Sequence, residues 1–185
     1  MTDANLTNQQ YARVIAKCRD TFARKAADYG PSWLILRMPS VTDQIYIKAE
    51  RIRSLQESGE NKVGDPASVE FMAIINYCVI ALLLLEVQKK PSLAEAWLSP
   101  EPLMKAYDEA IILTFDTMMA KNHDYGEAWR KMRVSSMTDL ILMKIHRIKQ
   151  IEDNGGKVSV SEGVEGNYVD ILNYAVFCLI RMDEA

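Results

Sequence analysis

Cysteine is scarce in this chain, three in 185 residues, and Cys18, Cys78 and Cys178 form an odd set inside apolar helical segments. That excludes a disulfide framework and fits a reducing compartment. Glycine is equally sparse, and its eight residues never gather into a loop that could cradle phosphate. The two histidines, His123 and His146, show neither zinc-ligand spacing toward a cysteine nor a Ser–His–Asp arrangement. No sign of charge prevails: 22 Lys and Arg stand against 25 Asp and Glu, a net charge of −3. Without a basic face, neither nucleic acid nor a membrane surface is an expected partner. The apolar run from Phe71 to Leu85 is shorter than a bilayer span and holds Asn76, so it reads as a core helix. The first residues are polar, with no signal-type apolar segment, and the expected location is the cytoplasm. Strand-like alternation is weak throughout. Apolar residues recur at helical spacing, which predicts an all-α fold.

What the chain does contain, it states twice. Asp28-Tyr29-Gly30 recurs as Asp124-Tyr125-Gly126, an offset of 96 residues. The same step carries Tyr11 to Tyr107, Lys25 to Lys121, Trp33 to Trp129 and Arg37 to Arg133. It also carries Ser40, Thr42, Asp43, Lys48, Arg51 and Ile52 to Ser136, Thr138, Asp139, Lys144, Arg147 and Ile148. After one inserted residue, Asn76-Tyr77 meets Asn173-Tyr174. A repeat this long predicts a fused pseudo-dimer of about six main helices, two tandem three-helix units related by a pseudo-twofold axis. The hydrophobic content of 49% suffices for one shared core.

Boundaries follow from caps and breakers. Residues 1–90 form the first repeat, 91–102 a linker and 103–185 the second repeat. Helices are expected near 7–28, 41–57 and 67–89, then near 101–124, 137–153 and 164–182. Gly30 and Gly126 stand where a helix ends in a left-handed residue. Ser40-Val41-Thr42-Asp43 and Ser136-Met137-Thr138-Asp139 have the spacing of a capping box. Stretches 59–66 and 154–163 read as loops.

Three groups of residues are candidates for chemistry. Lys48 lies between Ile45 and Ile52 on an apolar helical stripe, and Lys144 lies between Ile141 and Ile148, with Arg51 and Arg147 one turn on. A lysine on such a face needs a carboxylate, a phosphate or a wet cleft. These four cations therefore form either a phosphate clamp or structural ion pairs. In the last helix of each repeat, Asp170 and Asn173, Glu70 and Asn76 look like remnants of one Glu-x-x-Asp-x-x-Asn face. Asp170 and Glu70 are then the expected Mg²⁺ ligands, with Asp139 and its equivalent Asp43 as further catalytic carboxylates and the asparagines orienting water or reading a base. A salt bridge from Asp170 to Lys144 is the alternative. Finally, Tyr29, Trp33, Tyr125 and Trp129 form either packing or an aromatic wall for a base, with Asp28 or Asp124 reading its edge.

The run Asp-Tyr-Gly-x-x-Trp, Ser-x-Thr-Asp, Lys-x-x-Arg-Ile and Asn-Tyr resembles the nucleotide modification associated domain, first type. The resemblance covers residues 11–85 and 107–182 and implies a nucleotide or nucleotide derivative as ligand. A more distant likeness is to all-α nucleoside triphosphate pyrophosphohydrolases of the MazG type, which implies a Mg²⁺-dependent hydrolase. This chain departs from that type, with Lys-x-x-Arg in place of Glu-x-x-Glu and no intact Glu-x-x-Asp. Two readings stand: a nucleotide-binding protein of pyrophosphohydrolase type, or a non-enzymatic helical module whose Lys–Asp pairs fix its register. Pairing of two chains into a homodimer stays open.

Overall fold

In the computed structural model, which describes residues 3–59, 64–157 and 163–184, every expected helix forms. The first half holds α1 (Asp3–Tyr29), α2 (Met38–Ser58) and α3 (Ala67–Lys89). After a one-turn α4 (Leu93–Ala96), the second half holds α5 (Pro100–Tyr125), α6 (Val134–Asp153) and α7 (Val164–Asp183). Single 3₁₀ turns at Ser32–Ile35 and Ala128–Lys131 follow α1 and α5. No strand occurs among the described residues. The loops expected at 59–66 and 154–163 lie in part, at 60–63 and 158–162, outside the described residues.

Three helix starts move. Helix α1 opens at Asp3 rather than near 7. Helix α2 opens at Met38 and α6 at Val134, so the Ser-x-Thr-Asp segments lie inside the first turns and cap nothing. The Thr42 and Thr138 hydroxyls bond back to the carbonyls of Met38 and Val134, at 3.2 and 3.0 Å. Helix α5 opens at Pro100, beside the expected start near 101. Pro100 and Pro102 sit in the first turn of α5, where a missing N–H leaves no hydrogen bond unmade. Gly30 and Gly126 end α1 and α5 as anticipated, at φ 67° and 58°, a left-handed conformation that costs a residue with Cβ more.

Packing explains why the repeats fuse. Within the halves, α2 lies on α3 and α6 on α7; across them, α3 packs on α7 and α2 on α6. Helices α1 and α5 cover the α3–α7 pair. Helix α3 is long and apolar enough to cross a membrane by length and composition. Phe71, Ile74, Ile75, Cys78 and Val79 are instead fully buried against the other helices, because α3 packs on α2, α7, α1 and α5.

Polar pairs repeat across the pseudo-twofold. The Tyr11 hydroxyl on α1 donates to Asn173 Oδ1 on α7 at 2.9 Å, and the Tyr107 hydroxyl on α5 donates to Asn76 Oδ1 on α3 at 2.9 Å. Each asparagine also donates to the first helix of its own half, Asn76 to the Cys18 carbonyl and Asn173 to the Thr114 carbonyl, both at 3.0 Å. At the α2–α6 seam, Thr42 meets Glu152 at 2.7 Å while Gln56 donates to Thr138 at 3.0 Å. Lys149 pairs with Asp43 at 2.6 Å, and Arg53 approaches Asp139 at 4.0 Å. Side chains at equivalent repeat positions thus face their partners' equivalents, as a twofold requires.

Candidate functional site

A cavity of about 890 Å³ opens in the second half, between the end of α5, the turn at 128–131, α6 and α7. Four charged side chains line it: Lys121, Lys144, Arg147 and Asp170. Helix periodicity sets Lys144 on the buried stripe of α6, next to Ile141, Ile145 and Ile148. The ammonium is tolerated there because Asp170, itself 8% exposed, receives it directly. The other Asp170 oxygen accepts from Lys121 at 2.5 Å. Arg147, one turn beyond Lys144, is exposed at the cavity, and among the described residues no hydrogen bond or ion pair engages its guanidinium. The lining therefore carries three cations against one carboxylate.

The opposite wall is aromatic. Trp129 stacks flat on Phe177 with ring centroids 4.2 Å apart, and the Arg130 guanidinium lies 4.4 Å from the Trp129 centroid. The indole is therefore a fixed wall, covered by its neighbours. Among the described residues its buried N–H has no hydrogen-bond partner. Tyr174 contacts Phe177 edge-on, and burial, ahead of the charge of Asp170, raises its hydroxyl's pKa. Tyr125, 74% exposed, stands at the mouth.

The equivalent cavity in the first half, about 570 Å³, is built differently. Lys25, Tyr29, Trp33, Ala73, Asn76 and Tyr77 are among its lining, while Lys48, Arg51 and Glu70 are not. Glu70, 3% exposed, takes Arg51 Nη1 directly and holds Lys48 Nζ at 3.1 Å from its second oxygen. Arg51 Nη2 also donates to the Asp65 carbonyl at 3.2 Å. The cause is a one-turn shift of the carboxylate. At the repeat offset Glu70 corresponds to Asn167 and Ala73 to Asp170. In the first half the carboxylate therefore closes on both helix-α2 cations. In the second it faces the cavity and leaves Arg147 unengaged.

The remaining candidates land elsewhere. Asp43 and Asp139 are exposed members of the seam ion pairs and do not line either cavity, so they are not brought to a catalytic set. Asp28 and Asp124 are exposed beside Tyr29 and Tyr125 and also line neither cavity; Asp124 lies 3.2 Å from His123 Nδ1. Asn76 and Asn173 reach the cavities, yet each spends its oxygen on a tyrosine of the other half and one N–H on a helix carbonyl. Asp170 and Glu70 are not brought together: each is engaged by two cations of its own half. Among the described residues no three His, Cys, Asp or Glu side chains cluster to hold a metal ion. The donor set does not fit a protein-held Mg²⁺, which takes hard oxygen ligands. Lys121 is the site residue that was overlooked. Its signal was present, since Lys25 and Lys121 recur at the repeat offset one turn before Asp-Tyr-Gly.

A family model described as nucleotide modification associated domain 1 matches the chain twice, over residues 25–85 and 121–182. No curated protein and no solved structure matches it. The first match begins at Lys25 and the second at Lys121, so each repeat enters the family at the lysine that faces its cavity.

Proposed function

The chain belongs to the nucleotide modification associated domain 1 family in both of its halves, and on that premise we propose that its second-half cavity binds the phosphate end of a nucleotide. The observation that carries this reading is the Lys121–Asp170–Lys144 cluster with an unengaged Arg147 beside it, lining a cavity of about 890 Å³. Cations held around one carboxylate are preorganised for an incoming anion, and a guanidinium adds the fork that suits phosphate oxygens. Tyr125, Ala128 and Met132, backed by the buried Trp129–Phe177 stack, give the nucleoside end an apolar surface. Binding is asymmetric, with one ligand per chain: Glu70 holds Lys48 and Arg51 away from the first-half cavity, whose lining keeps Lys25 as its one cation.

Pyrophosphohydrolase chemistry is not assigned to this cavity. It would need a carboxylate set to carry Mg²⁺, and the one carboxylate here is already shared by two lysines. The structural reading of the Lys–carboxylate pairs is favoured in the first half alone, where Lys48, Arg51 and Glu70 form a closed triad. Calorimetric titration with a panel of nucleotides tests both statements. The expected stoichiometry is one. Arg147→Gln should weaken binding by about tenfold to a hundredfold, the worth of one hydrogen bond to a charged group, while Arg51→Gln leaves affinity unchanged. Two equal sites, or indifference to Arg147→Gln, would sink the assignment.

A further inference from the structure

We infer that the ligand carries a single phosphate, so the cavity is a site for a nucleoside monophosphate bound without a divalent cation. The inference rests on the nucleotide reading above and adds the charge class.

Charge is the first ground. Lys121, Lys144 and Arg147 against Asp170 leave the lining with two positive charges. A phosphate monoester at neutral pH carries about −1.5 to −2, which this lining matches. A triphosphate carries about twice that charge. Proteins that bind one meet it with bridging Mg²⁺ and a loop of backbone N–H groups. Here no carboxylate is free to hold such an ion, no Gly-rich loop occurs in the sequence, and no metal-ligand cluster exists among the described residues.

Geometry is the second ground. The Lys121 and Lys144 ammoniums converge on the two oxygens of one carboxylate, so they mark one compact anion position. Arg147 lies on the same helix one turn from Lys144. Asn122 and the exposed Tyr125, in the last turn of α5, line the same cavity, so a phosphate chain that reached Tyr125 would meet this helix end. That helix end presents carbonyl oxygens and the negative end of the macrodipole, with the exposed Asp124 beside it. The exit is hostile to a chain of phosphates, whereas the wall of Trp129, Phe177 and Met132 suits an uncharged nucleoside.

The test is a titration series with chelator present throughout, then repeated with Mg²⁺. Probes are the mono-, di- and triphosphates of each common nucleoside, the free nucleosides, inorganic phosphate and pyrophosphate. One monophosphate is expected to bind at least tenfold more tightly than its own triphosphate and its own nucleoside, with Mg²⁺ making no difference. Asp170→Asn adds one positive charge and should shift preference toward the diphosphate. Because that variant touches a buried pair, Arg147→Gln serves beside it: the exposed guanidinium can be lost without unfolding, and monophosphate affinity should fall at least tenfold. A triphosphate that binds more tightly than its monophosphate in Mg²⁺ would overturn the monophosphate inference and leave the nucleotide reading standing. A free nucleoside that binds as well as its monophosphate would overturn both, because the phosphate would then contribute nothing. Absence of binding by every nucleotide would overturn both.

Discussion

Replacing Asn76 by Ala removes one of the polar contacts that join the two halves. The Tyr107 ring is fully buried, and among the described residues its hydroxyl has one partner, Asn76 Oδ1 at 2.9 Å. Asn76→Ala therefore strands a buried donor, which costs about 1–3 kcal/mol, and also removes the bond to the Cys18 carbonyl, worth about 1 kcal/mol. The expected loss is about 3 kcal/mol, or a melting point lower by about 6–12 °C for a chain of this size. The mirror variant Asn173→Ala should cost less, about 2 kcal/mol, because the Tyr11 hydroxyl keeps Thr114 Oγ1 at 3.2 Å. A double-mutant cycle makes the test specific. Tyr107→Phe should destabilise the wild-type protein by about 1 kcal/mol yet be neutral or favourable in the Asn76→Ala background, since it then removes a stranded hydroxyl. Urea denaturation of the four proteins reads this directly. Equal effects of Tyr107→Phe in both backgrounds would refute the cross-half hydrogen bond.

Asp170→Ala leaves the Lys144 side chain, 12% exposed, without its carboxylate and should cost about 3 kcal/mol by urea melt, whereas Lys144→Met with Asp170→Leu should restore or exceed wild-type stability and still abolish ligand binding. Asp43→Ala and Asp139→Ala remove exposed seam ion pairs and should each change stability by less than about 1 kcal/mol without altering ligand affinity in calorimetry. Burial raises the Glu152 carboxyl above 4.5, ahead of the Thr42 hydrogen bond that lowers it, so the folded state keeps a proton that the unfolded chain gives up. The contribution of Glu152 to stability is then greatest below that window and falls as pH rises through it. Glu152→Gln, which copies Gln56 of the other half, should gain over wild type near neutral pH and match it in acid; an equal advantage at both ends of a pH series of urea midpoints would refute this.

The repeat offset shows why part of the site was legible and part was not. Lys144 stood out because periodicity places it among isoleucines, and a cation there must find a partner. Asp170 stood out for the same reason on α7. The Ser-x-Thr-Asp motif misled, because a motif repeated in both halves reads equally as chemistry or as the surface on which the halves meet. Thr42, Thr138, Asp43 and Asp139 belong to that surface, and the contact between α2 and α6 that makes it so has no trace in either segment alone. Lys121 carries no such mark in its own segment, because its partner lies on another helix, 49 residues away.

Local order is what the linear chain determined by itself: helices from apolar spacing, their ends from Gly30 and Gly126, and the equivalence of positions 96 residues apart. These depend on neighbours within a few turns, and the chain encodes such neighbours directly. Tertiary structure decided which of the two carboxylates is a closed ion pair and which faces a cavity. Glu70 and Asp170 differ by one turn of helix, and one turn selects which cations of the packed helices each side chain can reach. Partners across a helix interface are set by register and crossing, which no single segment carries.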